Sequence, residues 1–193
     1  MIRKVIEAGN PLLKAKNNIV KDFESPKLKR LVKNLTDTMY KTDLIGIAAP
    51  QIGENWMVFI THPRNTGARK LVRADKLRVF INPKIVQKSK KTSVIYEGCG
   101  SLGNGSIFGP VSRPKEIEVR AYDENGQRFS LLCDGIMARV IQHEYDHLCQ
   151  TEFIQRVSDY NKVVVQKYYR KNIRLSKTQI ENSQTTKVEF KTL

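Results

Sequence analysis

The sequence is poor in cysteine, histidine and acidic residues, and it has no long apolar run. Its 193 residues hold three cysteines, Cys99, Cys133 and Cys149. An odd, small number at this length excludes a disulfide framework and points to a reducing compartment. No apolar stretch approaches the roughly 20 residues that a membrane span needs. The mean hydropathy is −0.44, so no membrane association is expected. The opening MIRKVIEAGNPLL has neither a continuous apolar h-region nor a small-residue cleavage site. No secretory signal is therefore expected, and the cytoplasm is the expected location. Carboxylates are scarce: 19 acidic residues stand against 34 basic ones, a net charge of +15 with a pI near 9.8. Such a balance suits an acidic partner such as RNA, and it equally describes a solubilising lysine-rich surface. No DNA partner is expected, and the oligomeric state stays open.

There is no internal repeat and no long linker. Residues 26–40 place Leu28, Leu31, Val32, Leu35 and Met39 at helical spacing, with Pro26 in the first turn. WMVFI (56–60), VFINPKIV (79–86) and SVIYEG (93–98) read as strands, the second interrupted or edged by Pro83. Residues 61–76 read as a basic surface loop. Residues 115–135 alternate, turn at Asn125-Gly126 and resume at Phe129, which signals a hairpin. From Asp134, an expected N-cap, Ile136, Val140, Ile141, Glu144 and Leu148 follow a helical period. Residues 160–175 read as a second, basic helix, and 176–193 as a polar, loosely held tail in which VEF can pair as an edge strand. Strands first and helices later predict an α+β domain spanning 1–193. Its small, mostly antiparallel sheets pack around a central helix, with an N-terminal and a C-terminal helix besides.

Of only three histidines, two sit in QHEYDH, four residues apart. On a helix that spacing gives about 400° of turn and about 6 Å of rise, so His143 and His147 share a face and can hold one metal ion. Glu144, next to the first, is placed as general base on a metal-bound water, the H-E-x-x-H arrangement. A third ligand is required. His62, an acid after the helix and Cys99 are the candidates.

Cys99 lies in YEGCGSLGNG, where Gly98, Gly100 and Gly103 spell the dinucleotide fingerprint G-x-G-x-x-G. That fingerprint must open a helix, and the following NGSIFGPVSRP cannot. The glycines instead suit backbone passing close to a metal and a substrate. Cys99 is read as the third ligand.

Three segments, in order, resemble the motifs of peptide deformylases: GIAAPQ (46–51) resembles G-x-G-Φ-A-A-x-Q, EGCGS (97–101) resembles E-G-C-L-S, and QHEYDH (142–147) resembles Q-H-E-x-D-H. INP (81–83), VSRP (111–114) and DGIMARVIQ (134–142) add to the likeness. The resemblance implies hydrolytic removal of the formyl group from N-formylmethionine on peptides and nascent chains, releasing formate. It implies one divalent ion on Cys99, His143 and His147, Fe(II) in the cell, with Zn, Ni or Co able to replace it. Glu144 becomes base and then acid, and Gln51 and the Gly100 N–H become oxyanion donors. Ile45 and Gly46 would pair with the peptide backbone. Ile136, Val140 and His143 would line the methionine pocket, with Arg139 near its mouth. Asp146 and Arg113 would support the ligands. The basic residues Lys162, Lys167, Arg170, Lys171, Arg174 and Lys177 offer a contact with ribosomal RNA.

Three positions depart from the pattern: Leu44 for the motif's first glycine, Gly100 for its leucine, and Gln150 for a glycine after the helix. No proposed ligand, base or oxyanion donor is lost, so activity is expected. The alternatives are a divergent relative with another amide substrate, another H-E-x-x-H hydrolase, and a non-enzymatic RNA-binding module.

Overall fold

Strand alternation sets the layering. In the computed structural model, which describes residues 1–67, 71 and 73–193, the strand β2 (Val58–Thr61) is buried on both faces. Val58 and Ile60 point to one apolar cluster and Phe59 to another. Its neighbour β1 (Gly46–Ala48) splits the same way, with Ile47 on the first side and Ala48 on the second. A period of two therefore feeds two cores, one on each side of a single sheet.

The first core is closed by α1 (Pro26–Lys41), whose Leu28, Leu31, Leu35 and Met39 recur along one face and are buried. Pro26 stands in its first turn, and the Ser25 hydroxyl caps it by accepting from the Leu28 N–H. The second core is closed by α2 (Gly135–Leu148), through Met137, Ala138, Ile141 and Leu148.

The remaining strands are β3 (Arg78–Lys88), β4 (Thr92–Gly98), β5 (Ile107–Pro114), β6 (Glu116–Tyr122), β7 (Arg128–Asp134), β8 (Val164–Val165) and β9 (Val188–Thr192). Among the described residues they form a six-stranded sheet, β1-β2-β3-β6-β7-β9, and a three-stranded sheet, β4-β5-β8. Every pairing in both is antiparallel. This is the α+β class read from the sequence. Pro83 marks a bulge: the β3–β6 register shifts between Ile81 and Lys84, and Asn82 beside it has φ 50. The β6–β7 hairpin turns at Gly126, φ 77. Of the expected loop 61–76, Thr61 ends β2, and 68–70 and 72 lie outside the described residues.

Three expectations are corrected. Residues 160–175 are not one helix. A 3-10 turn at Tyr160–Lys162 precedes β8, and only then do α3 (Gln166–Tyr168) and a π-turn (Tyr169–Ile173) follow. The β-branched run Val163-Val164-Val165 explains this, since it favours extended backbone, and Val164 and Val165 pair with Phe108 and Ile107 of β5. The tail after Ser176 is not loosely held: α4 (Lys177–Ser183) is capped by the Ser176 hydroxyl, while β9 bears out the expected edge pairing of VEF, running along β7 with Phe190 stacked on Phe129 at 5.2 Å. Asp134 precedes α2 but makes no side-chain cap. Its carboxylate accepts instead from the backbone N–H groups of Thr186 and Lys187 and from the Thr186 hydroxyl.

Candidate metal centre

The turn after β4 delivers Cys99, and α2 delivers His143 and His147. One ligand atom from each lies within 4.8 Å of the others. The Cys99 Sγ stands 3.3 Å from His147 Nε2, and the imidazoles meet edge to face at 5.2 Å. A soft thiolate and two imidazoles are a donor set for a transition-metal dication. His62 is not in the cluster; its Nδ1 meets the Tyr40 hydroxyl at 2.8 Å.

The candidate ligands are held from behind. Glu97 stands near the end of β4, two residues before Cys99 in the turn that follows. Its Oε2 holds His143 Nδ1 at 2.9 Å, which leaves Nε2 as the ligand atom. The same carboxylate accepts from Arg113 at 2.7 and 3.0 Å and from Arg139 at 2.9 Å. Burial alone would raise the Glu97 carboxyl, but the Arg113 charge and the His143 and Arg113 hydrogen bonds hold it well below the usual range. Arg113 also donates to Asp146 at 2.6 Å, and Asp146 accepts from Arg156 at 2.9 Å. The expected support from Arg113 and Asp146 thus runs through Glu97, a residue that motif reading left without a role.

Burial pushes His147 well below its ordinary value, helped by the His143 charge, which favours the neutral ring that ligation requires. For His143, burial is outweighed by hydrogen bonds to Cys99 and Glu97, and the ring is raised well above its ordinary value. A dication held by these residues would displace that proton.

Glu144 is 4% exposed, and its Oε2 has no hydrogen-bond partner among the described residues. Burial, with His143 opposing and Glu97 adding, pushes its carboxyl up to about 7. An unpartnered buried carboxylate titrating near neutrality is suited to moving a proton. Its space exists because residue 46 is glycine: a Cβ there would stand 2.6 Å from Glu144 Oε1 and from Val140 Cγ1.

Gln51 is oriented from both ends. Its Oε1 accepts from the Ala48 N–H at 2.8 Å, while Nε2 faces the Cys99 Sγ at 3.6 Å and the Ser101 hydroxyl at 3.3 Å. Ser101 was missed by sequence reading, although it lies two residues past Cys99. Cys99, His143, Glu144, Gln51 and Gly100 all border one cavity of about 790 Å³. Ile45, Ile136 and Val140 form an apolar cluster on its wall, joined by Leu71.

The family model for polypeptide deformylase matches residues 2–163. The chain belongs to the polypeptide deformylase family. It is 36% identical to the peptide deformylase of Pseudothermotoga lettingae, over 86% of this chain and 90% of that one. It is 38% identical to peptide deformylase 1B, chloroplastic/mitochondrial, of Arabidopsis thaliana, over 81% of this chain and 54% of that one. The chain thus spans about half the length of that plant relative. Among solved structures, a class I type b peptide deformylase of Acinetobacter baumannii with Met-Ala-Ser bound superposes with a TM-score of 0.75 at 28% identity, over 81% of this chain and 99% of that one. The Thermotoga maritima peptide deformylase gives 0.72 at 31%, over 82% and 99%.

The deformylase motifs meet at one place: GIAAPQ on β1 and the 3-10 turn after it, EGCGS at the end of β4, QHEYDH on α2. The G-x-G-x-x-G leads into a 3-10 turn and β5, not a helix. Arg139, expected near the mouth, borders the cavity but is 4% exposed, its guanidinium committed to Glu97, the Ser93 carbonyl and the Val111 carbonyl. Asp43 takes the left-handed backbone, φ 58, so Leu44 replaces a deformylase glycine without that strain. Gln150, which replaces a glycine after the helix, sits at φ 56, where a non-glycine residue costs about 1 kcal/mol or more. Of the other two cysteines, Cys133 is buried and Cys149 is exposed.

Proposed function

We propose that this chain removes the formyl group from N-formylmethionine at the start of newly made proteins, releasing formate. The observation that carries the reading is the unpartnered, buried Glu144 carboxylate beside the Cys99, His143 and His147 donors and the apolar Ile45, Ile136 and Val140 wall. A divalent ion on those three ligands, Fe(II) in the cell with Zn, Ni or Co as substitutes, supplies a Lewis acid that activates water at neutral pH.

The protein's own groups do the rest. The methionine side chain fills the apolar wall, and the backbone of Ile45 and Gly46 aligns the peptide. Glu144 takes a proton from the attacking water and later delivers it to the leaving amine. The Gln51 Nε2 and the Gly100 N–H donate to the oxygen that becomes negative on the formyl carbon. The Ala48–Gln51 hydrogen bond fixes that amide before substrate arrives, so little reorganisation is needed. The three free thiols support work in a reducing cytoplasm. Exposed Lys162, Lys167, Lys171 and Lys177 support contact with ribosomal RNA near the nascent chain.

The test pairs two readouts. Cys99→Ala is expected to lose bound metal and activity together. Glu144→Gln is expected to keep one metal per chain and lose formate release. Metal retained in full by Cys99→Ala would remove the ligand assignment.

A further inference from the structure

The family match ends at residue 163, yet the residues beyond it border the same cavity as Glu144. They are fastened there. Along the open edge of β4 the Gln179 side chain acts as a backbone surrogate: its Oε1 accepts from the Tyr96 N–H at 3.0 Å, and its Nε2 donates to the Tyr96 carbonyl at 3.3 Å. Two residues along that edge, Asn182 donates to the Val94 carbonyl at 3.1 Å. The Tyr169 ring lies flat on Phe108, 4.1 Å between centroids and 7° apart. The far end passes over the start of α2, where a Cβ on Gly135 would stand 2.2 Å from the Gln184 carbonyl oxygen. Protection of an edge strand accounts for Gln179 and Asn182. It does not account for the cations this segment brings to the cavity.

Arg170, exposed, lines the cavity from the segment, and Arg73, exposed, lines it from the opposite loop and reaches the Thr186 carbonyl at 3.4 Å. Asp43 is the exposed carboxylate among the lining residues. We infer that the segment 166–185 builds an outer subsite for the peptide beyond its methionine, and that Arg170 and Arg73 select acidic side chains there. This rests on the deformylase reading and names its substrate class. The inner wall is apolar and takes methionine; the outer wall is cationic and takes carboxylates at later positions. A charge at the rim of a site acts through encounter and weak binding, so discrimination lies in KM and fades with salt.

The test compares formate release from formyl-Met-Ala-Asp-Asp and formyl-Met-Ala-Lys-Lys at low salt. The acidic peptide is expected to have roughly fivefold higher kcat/KM, carried by KM. Combined Arg170→Ala and Arg73→Ala is expected to bring the ratio near one. Removing two charges on α1 instead, Lys29→Ala with Lys33→Ala, is expected to keep it. A wild-type ratio near one, or an equal fall in the α1 variant, overturns the inference while leaving deformylation standing. No formate from either peptide removes both readings.

Discussion

Leu44 and Gly100 exchange the residues of the family pattern, and the structure makes the exchange one event. A Cβ built on Gly100 would stand 3.2 Å from Leu44 Cδ1 and 3.7 Å from Val5 Cγ1. The Leu44 side chain therefore fills the space that a leucine at 100 would need. Gly100→Leu alone forces overlap in a packed site, a cost of about 1–3 kcal/mol. Leu44→Gly alone loses half-buried apolar surface and adds backbone freedom, together about 2 kcal/mol. If the two acted separately, the double variant would lose about 4 kcal/mol. Because the new leucine enters the space vacated by the old one, it should lose only about 2 kcal/mol, a coupling near 2 kcal/mol. For a chain of this size, each kcal/mol moves the Tm by about 2–4 °C. Thermal unfolding of the wild type, both single variants and the double, at matched metal content, resolves the difference. Additivity within about 0.5 kcal/mol would refute the reasoning.

Arg113 joins Glu97 and Asp146 in the interior, so Arg113→Ala takes one cation from two buried carboxylates, leaving Glu97 to Arg139 and His143 and Asp146 to Arg156, and should cost about 3 kcal/mol in urea unfolding; a loss below about 1 kcal/mol would contradict the network's role. Glu97 titrates well below its ordinary value when folded, so its stabilisation is complete above the unfolded-state pKa, about 4.3, and is lost as pH falls through the folded one. Glu97→Gln should flatten that acid limb, and an unchanged slope would falsify the assignment. Thiol labelling followed by mass mapping should find Cys149 modified in the native protein. Cys133 is fully buried with its thiol pushed up by burial, and should react only after unfolding.

Local pattern carried α1 and the β6–β7 hairpin, each an apolar period with its cap or turn in the sequence, and α2 by its apolar period alone, since Asp134 does not cap it. The Cys99, His143 and His147 cluster was legible because the two histidines share one helix and the cysteine lies in a short motif. What escaped depends on distant partners. Glu97 and Arg139 meet across 42 residues, and nothing local announces that this arginine is buried. Gln179 and Asn182 read as polar tail because their amides replace a missing strand, a role composition does not reveal. Val163 to Val165 fitted a helical window around them, yet β-branching and the free edge of β5 decided for strand.

The central claim is that Glu144, poised beside the Cys99, His143 and His147 site, removes a formyl group. Its most direct test is formate release from formyl-Met-Ala by protein loaded anaerobically with Fe(II), beside acetyl-Met-Ala and the Glu144→Gln variant. The account predicts turnover of the formyl peptide, none of the acetyl peptide under the same conditions, and a loss of roughly 100-fold or more in the variant. Equal turnover by Glu144→Gln at equal metal content would contradict it.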